Sequence, residues 1–526
     1  MSSLLQDYLS EQAERRPGEA ALVLGDERLT YAELEELSGR LAGLLADSGC
    51  GPGDRVCLLS SKSPSAVVAM LAVLKAGGAY VPIDTSSPAP RVGLVLRAAD
   101  PRLLLVDPGA EPLLDGVIAD GEVDAPVGSL GPGALEGERF RTSFGIDDAA
   151  GRDPLPAREG SDDELAHLLF TSGSTGAPKG VGITHRNVTA FIDWAVGHFG
   201  IEPGDRLSGH PPLHFDLSTF DIYGTLAAGA TLHMVPAEAN LLPRRLTEFV
   251  RERQLAQWFS VPSTMAYMAR HGALAPDGLP SLKRVIWCGE VLPTAILIEW
   301  MRLVPQASFT NLYGPTEATI ASSFHTVIEI PPDPTEPIPI GTACVGEELL
   351  VTDEGRVLGD GENGELCIGG VGLSPGYWRD EERTREVFVS DPRPEREGER
   401  IYRTGDLAVR DDAGIFHFLG RLDSQIKSRG HRIELGEIEA ALGTFDELAE
   451  CAVVGVNSEG FEGTAICCAY APVDDADVAP PELRTRLAEL LPSYMLPSQW
   501  EPLESLPKNV NGKIDRKRLR ELFVAR

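Results

Sequence analysis

Apolar residues recur along the first hundred residues with the periods of alternating helices and strands. Five leucines that follow Thr30 lie three or four positions apart, as on one face of a helix. Thr30 with Glu33 has the pattern of a capping box, which predicts that this helix begins there. The apolar runs 53–60 and 79–83 are typical of strands, and a helical pattern at 66–76 lies between them. This order predicts a βαβ unit in a mainly parallel sheet.

The pattern changes several times further along the chain. Residues 107–163 are rich in Pro, Gly, Asp and Glu, which predicts an irregular surface connection without chemistry; the alternative is a connection that includes a short strand pair. Residues 164–330 resume the α/β alternation, and residues 338–420 show strand-like segments between turns, which predict a small barrel or sheet. After Gly420 a helix–strand–strand–helix order predicts a compact α+β unit of about 100 residues.

Composition narrows the class of protein. The 526 residues are 43% hydrophobic and 24% charged, which is typical of a globular protein with several compact units. The net charge of −32 argues against nucleic acid or an anionic membrane as the main partner. No apolar run reaches membrane-spanning length and the start lacks a signal-peptide pattern, so a cytoplasmic protein is expected. Eight scattered cysteines without a Cys-x-x-Cys pair predict free thiols and no structural metal.

One loop after the buried run 168–170 is rich in groups that can bind phosphate. It contains, in order, Thr171, Ser172, Gly173, Ser174, Thr175, Gly176 and Lys179. Glycines let the backbone N–H groups approach a ligand closely, while the hydroxyls and the ammonium add donors. The spacing is not that of a Walker loop, and Ser at position 172 rules out a Gly-x-Ser-x-Gly nucleophile elbow. The alternative interpretation is a flexible Ser/Gly surface turn.

Four further stretches have compositions that a plain core does not need. Residues 311–319 place an aromatic ring, an amide, hydroxyls and a carboxylate around Gly-Pro, which suits a nucleobase beside a metal-binding acid. Residues 402–407 present a carboxylate after a tight turn, which can accept both hydroxyls of a ribose. Residues 420–439 are dense in cations, and residues 509–516 place one lysine on a polar turn. Each stretch alone also fits a surface turn.

Together and in this order, these stretches resemble the adenylate-forming enzymes, most closely the amino-acid adenylation domains of nonribosomal peptide synthetases. The resemblance extends over essentially the whole chain, from 29–45 and 74–84 to 511–513. It implies an α/β fold in which residues 1–420 form a large N-terminal region of two α/β subdomains plus a β-barrel. Residues 421–526 would then form a smaller, mobile C-terminal α+β domain.

The resemblance implies ATP and Mg²⁺ as the cofactors of an AMP-forming ligase. An amino-acid carboxylate would attack the α-phosphate and expel pyrophosphate, so catalysis is mostly positioning and charge stabilisation. The loop at 171–179 would hold the β- and γ-phosphates. Glu317 would coordinate Mg²⁺ and Thr316 would contact the α-phosphate. Lys513 would bind the carboxylate and the α-phosphate oxygens from the C-terminal domain.

Further nucleotide contacts follow from the same resemblance. Tyr313 would stack on adenine beside Asn311 and Gly314, and Asp406 would bind the ribose with support from Arg421. The remaining position of this set is Phe418, where the family often has a tyrosine, so packing is kept there but a hydroxyl contact is lost.

The cationic stretch matches the segment that the family uses to change domain orientation. Asp423 matches a hinge, the kind of loop residue that absorbs a large φ/ψ change. Lys427 and Arg432 would belong to the face that turns toward the site for thioester formation; the alternative interpretation is a solvated helix start.

Residues 214–223 match the segment that lines the amino-acid pocket. Asp216 falls where the family pairs a carboxylate with the α-ammonium group of the substrate. The other implied pocket residues are Leu217, Phe220, Phe259, Ile286, Cys288, Leu312, Ile320 and Ala321. Because no charge besides Asp216 and Lys513 is implied there, a charged side chain would be left unpaired. We therefore expect a small or medium apolar amino acid, with alanine the first candidate.

The acceptor is expected to be a separate protein. The chain ends 13 residues after Lys513 without a Leu-Gly-Gly-x-Ser motif, which predicts a stand-alone enzyme that charges the phosphopantetheine thiol of a carrier protein. A D-alanine–carrier ligase remains an alternative, and an acyl-CoA ligase is disfavoured by Asp216. A non-catalytic nucleotide-binding relative is disfavoured because Lys513, Glu317, Asp406 and the 171–179 loop are all intact.

Overall fold

The predicted α/β fold class is confirmed by the structure, a computed structural model. It describes residues 4–119, 121, 123–173, 177–457, 464–473, 478–509 and 513–524. Helices and strands alternate through the first two thirds of the chain, and strands dominate the following part. None of the described helices is long and apolar enough to cross a membrane. All eight cysteines are free thiols, as the scattered spacing predicts.

The strands of the described residues are β1 (Ala20–Leu24), β2 (Glu27–Thr30), β3 (Arg55–Leu59), β4 (Ala79–Ile83), β5 (Leu103–Val106), β6 (Val127–Ser129), β7 (Leu165–Thr171), β8 (Lys179–Thr184), β9 (Arg206–Gly209), β10 (Thr231–Met234), β11 (Gln257–Ser260), β12 (Arg284–Cys288), β13 (Ser308–Tyr313), β14 (Ser323–Val327), β15 (Thr342–Ala343), β16 (Glu347–Asp353), β17 (Arg356–Val357), β18 (Asn363–Gly370), β19 (Gly376–Tyr377), β20 (Phe388–Ser390), β21 (Arg400–Arg410), β22 (Phe416–Arg421), β23 (Gln425–Ser428), β24 (His431–Glu434), β25 (Leu448–Asn457), β26 (Thr464–Pro472) and β27 (Gln499–Pro502).

The α-helices are α1 (Leu5–Arg15), α2 (Tyr31–Asp47), α3 (Pro64–Lys75), α4 (Ala89–Ala99), α5 (Glu111–Ala119), α6 (His185–Phe199), α7 (Leu217–Thr219), α8 (Thr225–Ala228), α9 (Pro243–Glu252), α10 (Pro262–Arg270), α11 (Thr294–Leu303), α12 (Glu381–Val387), α13 (Leu435–Leu442), α14 (Pro480–Ala488) and α15 (Arg516–Val524).

Two large sheets form the α/β part. One has nine strands in the order β15-β14-β13-β12-β11-β9-β10-β1-β2, and β9 to β13 run parallel within it. The other has seven strands in the order β19-β8-β7-β4-β3-β5-β6. The predicted unit β3–α3–β4 is confirmed as a parallel pair in the second sheet. The capping box is confirmed as well, because the Thr30 hydroxyl accepts the Glu33 amide at the start of α2.

The prediction for residues 107–163 is wrong in part. The helix α5 lies in this segment and buries Leu114 and Val117, and β6 adds a parallel strand beside β5 at the edge of the seven-stranded sheet. A three-residue strand and a nine-residue helix with two buried positions give too short a periodic signal to stand out from the surrounding Pro and Gly.

The strand-rich part predicted as a small barrel or sheet forms a six-stranded sheet, in the order β17-β16-β18-β21-β20 with β22 also paired to β21. The isolated bridge between Gly341 and Phe416 ties this sheet to the segment between β14 and β15 of the nine-stranded sheet. Because β22 ends at Arg421, the chain leaves this sheet directly beside the segment that we expected to be a hinge.

The last hundred residues form an α+β unit with its own buried clusters. The predicted order is confirmed as α13, β25, β26 and α14, with β25 and β26 antiparallel. Sequence reasoning missed β27, which pairs parallel with β26, and the final helix α15. The hairpin of β23 and β24 precedes this unit and carries the cationic stretch.

Candidate active site

A cavity of about 130 Å³ lies where the large sheets, the six-stranded sheet and the β23–β24 hairpin meet. Strands β12 and β13 are parallel neighbours, so the loops that follow them open at the same edge of their sheet, as ligand-binding loops of open sheets do. Many of the predicted site residues line this cavity, namely Thr171, Ser172, Asp216, Leu217, Cys288, Gly314, Thr316, Asp406, Arg421, Lys427 and Arg432.

The two ends of the predicted phosphate loop lie side by side in an antiparallel pair, because Thr171 on β7 pairs with Lys179 on β8. The Thr171 hydroxyl is buried at the cavity without a hydrogen-bond partner in the described part of the chain. The turn is tight at Gly173, where an added Cβ would lie 2.1 Å from the carbonyl oxygen of Ala177. The predicted Ser174, Thr175 and Gly176 lie outside the described residues.

Glu317 is fully buried and is surrounded by donors. Its carboxylate accepts hydrogen bonds from Arg432 Nη1 at 2.6 Å and the Tyr377 hydroxyl at 2.8 Å, and Lys179 Nζ lies 3.4 Å away. Burial alone would raise the pKa of Glu317, but the charges of Arg432 and Lys179 outweigh it and hold this pKa far below its usual range. Burial and the nearby Arg432 lower the pKa of Lys179 to about 8. The carboxylate is therefore an anion compensated by two cations.

Tyr377 is a site residue that sequence reasoning missed. Its hydroxyl donates to Glu317 and also accepts from Lys179 Nζ at 3.2 Å. The strand β19 that carries it pairs with β8, so its place beside Lys179 depends on a contact across almost two hundred residues. A lone tyrosine after Pro-Gly gives no local signal for such a contact.

Thr316 and Asp216 are joined directly. The Thr316 hydroxyl donates to Asp216 Oδ2 at 2.8 Å, at the point where α7 begins. Burial raises the pKa of Asp216 to about 6, although the hydrogen bond from Thr316 works in the opposite direction. Near pH 7 Asp216 is thus an anion in a buried place, and an ammonium group in the cavity would compensate it.

The predicted pocket residues are all buried, and two of them are in contact, because the ring centroids of Phe220 and Phe259 lie 5.4 Å apart. All eight belong to one buried cluster, which comprises Leu217, Phe220, Phe259, Ile286, Cys288, Leu312, Ile320 and Ala321 among its members. Of these, Leu217 and Cys288 line the cavity itself. The backbone at Ile320 has a φ of 67° and that at the preceding Thr319 a φ of 54°, left-handed values that are strained for β-branched residues.

The residues predicted to contact the adenine base and the ribose form a second polar group. Asp406 accepts hydrogen bonds from the Tyr313 hydroxyl and from Arg421 Nη1. Lys427 Nζ lies 5.7 Å from the ring centroid of Tyr313, over the ring that we expected to stack on adenine.

Three more residues that were predicted to contact the nucleotide lie against other parts of the protein. Asn311 Nδ2 donates to the Pro339 carbonyl at 2.8 Å, and Phe418 packs against the core of the six-stranded sheet. A Cβ at Gly314 would lie 2.5 Å from Ala321 Cα, so a side chain there would collide with the pocket backbone.

The structure brings Lys427 and Arg432 into the site and leaves Lys513 outside it. Lys513 is exposed, is not among the residues that line the cavity, and has its backbone N–H bonded to Asn509 Oδ1. The proposed hinge Asp423 lies in the turn between β22 and β23 and accepts hydrogen bonds from Arg421 and from the Gln425 amide.

The described side chains around Glu317 offer few ligands for a divalent ion. No group of three or more His, Cys, Asp or Glu side chains suited to a metal occurs among the described residues. Glu317 offers one carboxylate, which is enough for Mg²⁺ where substrate phosphates and water complete the shell. In the observed arrangement the oxygens of Glu317 are taken by Arg432 and Tyr377.

Comparisons with known proteins agree with this geometry. The sequence profile of the AMP-binding enzymes matches residues 9–378, and that of the AMP-binding enzyme C-terminal domain matches residues 437–513. The L-proline–[L-prolyl-carrier protein] ligase of Pseudomonas fluorescens is 34% identical over 98% of both chains. Tyrocidine synthase 2 of Brevibacillus parabrevis is 35% identical over 98% of this chain, which spans only 13% of that relative. The Vibrio cholerae adenylation domain AlmE in complex with glycyl-adenosine-5'-phosphate superposes with a TM-score of 0.85 at 25% identity, over 100% of this chain and 98% of the other.

Proposed function

Because the chain belongs to the family of AMP-binding enzymes, we propose that it is a ligase that activates an amino acid with ATP and then loads it onto a carrier protein. In the first half-reaction the amino-acid carboxylate oxygen forms a bond to the α-phosphorus, and the bond to the pyrophosphate leaving group breaks. In the second, the phosphopantetheine thiol of a separate carrier attacks the acyl carbon and AMP leaves. Both substrates and the partner are compatible with a cytoplasmic enzyme.

The observation that carries this proposal is the buried carboxylate of Asp216 at the cavity. Its neighbours in the cavity wall, Leu217 and Cys288, are apolar or neutral, and Thr316 supplies one hydrogen bond. A substrate with a free α-ammonium group would complete the charge balance of this carboxylate. A fatty or aryl acid would leave it unpaired, which costs several kcal/mol in a buried place.

The residues around the cavity suit a reaction that works by positioning. Thr171 and Ser172 of the predicted phosphate loop line the cavity, where they would face the phosphates, and Asp406 with Arg421 would hold the ribose. Glu317 would hold Mg²⁺ together with phosphate oxygens, and the ion would supply charge neutralisation there. Thr316 would link the amino-acid site to the phosphate site, because its hydroxyl contacts Asp216 and would also contact the α-phosphate.

The C-terminal unit would serve each half-reaction in a different orientation. In the observed one, Arg432 compensates Glu317 and Lys427 covers Tyr313, which fits the step after pyrophosphate has left. In the other orientation, Lys513 would take the place of Arg432 and Lys427 and balance the negative charge of the reacting carboxylate and the α-phosphate. We place the boundary between the moving parts at residues 420 and 421, with Asp423 as the hinge.

The proposed amino acid is small or medium and apolar, with alanine as the first candidate. The eight pocket residues carry no charge, and the two phenylalanines among them limit the depth available to a side chain. A charged side chain would have no partner among them.

Amino-acid-dependent exchange of pyrophosphate into ATP, measured over the twenty amino acids, tests this proposal. An apolar amino acid such as alanine should give the strongest exchange. Best exchange with Asp, Lys or Arg would refute the substrate assignment, and no exchange with any amino acid would refute amino-acid activation.

A further inference from the structure

A buried ion pair joins the two parts of the molecule outside the cluster around Glu317. Arg91 on α4, in the large N-terminal part, contacts the carboxylate of Glu437 on α13, in the C-terminal unit. The side chains are only 8% and 1% exposed. Their sequence separation of 346 residues means that this contact exists only when α13 lies against α4.

Arg91 is the cation that contacts the buried carboxylate of Glu437. The Oε2 atom of this carboxylate is buried and has no hydrogen-bond partner within the described part of the chain. A buried carboxylate that loses its cation is strongly destabilised, and so is the cation left behind. When α13 moves away from α4, water can solvate both groups. Removal of one charge therefore penalises the orientation in which the other charge stays buried, and it does not penalise the orientation in which that charge is solvated.

The orientation that this pair favours is the one that places Arg432 in the cavity. Residue Gly430, two positions earlier, donates its backbone N–H to Glu290 Oε1 at 2.8 Å, and the Ser172 hydroxyl donates to the Arg432 carbonyl at 2.7 Å. Helix α13 follows β24 directly, so fixing α13 against α4 also fixes the hairpin that carries these contacts. Arg91 lines the cavity and Glu437 does not, so the variants that test the pair change Glu437.

We propose that Arg91 and Glu437 are positioning residues that select the orientation for transfer to the carrier thiol. This inference rests on the proposed function, because it assigns the observed orientation to the second half-reaction. Loss of the pair should slow transfer and leave adenylation intact, since adenylation needs the orientation in which the two charges are apart. The mechanism is a shift of population between two states that differ in one buried contact.

Glu437→Gln tests the pair, and Glu439→Gln is a matched control. Glu439 lies two residues further on the same helix and pairs with Arg516 inside the C-terminal unit, so its loss removes an ion pair that does not join the two parts. For Glu437→Gln we expect aminoacyl transfer to a holo-carrier to fall at least tenfold, with pyrophosphate exchange within twofold of wild type. Glu439→Gln should leave the ratio of the two rates unchanged.

Three results would overturn the inference. They are a parallel loss of both half-reactions in Glu437→Gln, no change in either, or the same altered ratio in Glu439→Gln. Glu437→Asp gives an independent check, because it keeps the negative charge outside the cavity and should retain more of the transfer rate than Glu437→Gln. Equal loss of transfer in the two variants would show that the charge of Glu437 does not set the orientation.

Amide hydrogen exchange at Gly430 reports the orientation without any substrate. Because this N–H donates to Glu290 across the two parts, it should exchange several-fold faster in Glu437→Gln than in wild type or Glu439→Gln. Unchanged hydrogen exchange at Gly430 in Glu437→Gln would refute the role of the pair. A wild-type protein without pyrophosphate exchange would instead refute the proposed function, so the two failures are distinguishable.

Discussion

At the scale of single residues, the charge of Asp216 is the most informative feature of the site. Burial raises the pKa of this carboxyl to about 6, so it is ionised above that pH and neutral below it. Because an α-ammonium group pairs only with the ionised form, binding is favoured above pH 6 and lost as the pH falls through this value. For exchange with the best amino acid, kcat/KM should decline roughly tenfold per pH unit below about 6.

Replacement of the same residue provides a second test. Asp216→Asn keeps the shape of the side chain and removes its charge. Loss of a charge-assisted contact of about 1.5–3 kcal/mol should lower kcat/KM by roughly 10- to 150-fold. The acidic limb of the pH profile should vanish with it. A variant with wild-type kcat/KM and an unchanged profile would contradict the role of Asp216.

The residue scale also shows where sequence reasoning ends. Asp216 and Thr316 stand in motifs whose residue types suggest binding, and the structure joins them by a hydrogen bond. Tyr377 and Arg91 stand in no such motif. Their partners Glu317 and Glu437 are distant in the sequence, so only the folded chain shows what they contact.

At the scale of elements, the turn after β13 shapes the pocket through its backbone. Gly314 approaches Ala321 so closely that an added Cβ would lie 2.5 Å from the Cα atom. Gly314→Ala should therefore shift this backbone, lower the free energy of unfolding by about 1–3 kcal/mol and reduce exchange activity. Thermal unfolding and exchange rates measure both effects.

A matched glycine in a helix provides the control. Gly197 in α6 has open space around the position of an added Cβ. Gly197→Ala should keep full activity and raise the free energy of unfolding by roughly 0.5–1 kcal/mol, because alanine is the better helix former. A Gly314→Ala variant as stable and active as Gly197→Ala would show that the close approach at the pocket is unimportant.

Elements with a long periodic pattern and clear ends were predictable, and short or charged ones were not. The helix α2 has regular leucine spacing and a capping box, and it forms where predicted. The final helix α15 buries only Leu519 and Phe523 among charged residues, and β27 has four residues with mixed burial. Their positions depend on packing against β25 and β26, which no local pattern encodes.

At the scale of the whole molecule, one of the two predicted cationic regions lies at the cavity and the other lies away from it. Arg432 contacts Glu317, while Lys513 is exposed and outside the cavity lining. Sequence motifs give the residues of both arrangements, but not which of the two the chain adopts. That choice depends on contacts between distant parts, such as the pair of Arg91 with Glu437.

Lys513→Ala should therefore separate the two half-reactions. Loss of this cation removes charge compensation from the adenylation step, so amino-acid-dependent pyrophosphate exchange should fall at least a hundredfold. Transfer from a supplied aminoacyl-adenylate to a holo-carrier should stay within a few-fold of wild type, because Lys513 is outside the site in the observed orientation. Wild-type exchange in this variant would contradict the assignment of Lys513.

The central claim is that one chain both activates an amino acid and passes it to a carrier. Intact-mass measurement of a phosphopantetheinylated carrier, incubated with the enzyme, ATP, Mg²⁺ and the amino acid that gives the best exchange, tests it most directly. We predict that the carrier gains the mass of that amino acid less one water, and that Asp216→Asn strongly slows this gain. An unmodified carrier, with the amino acid appearing instead as a coenzyme A thioester when coenzyme A is supplied, would contradict the account.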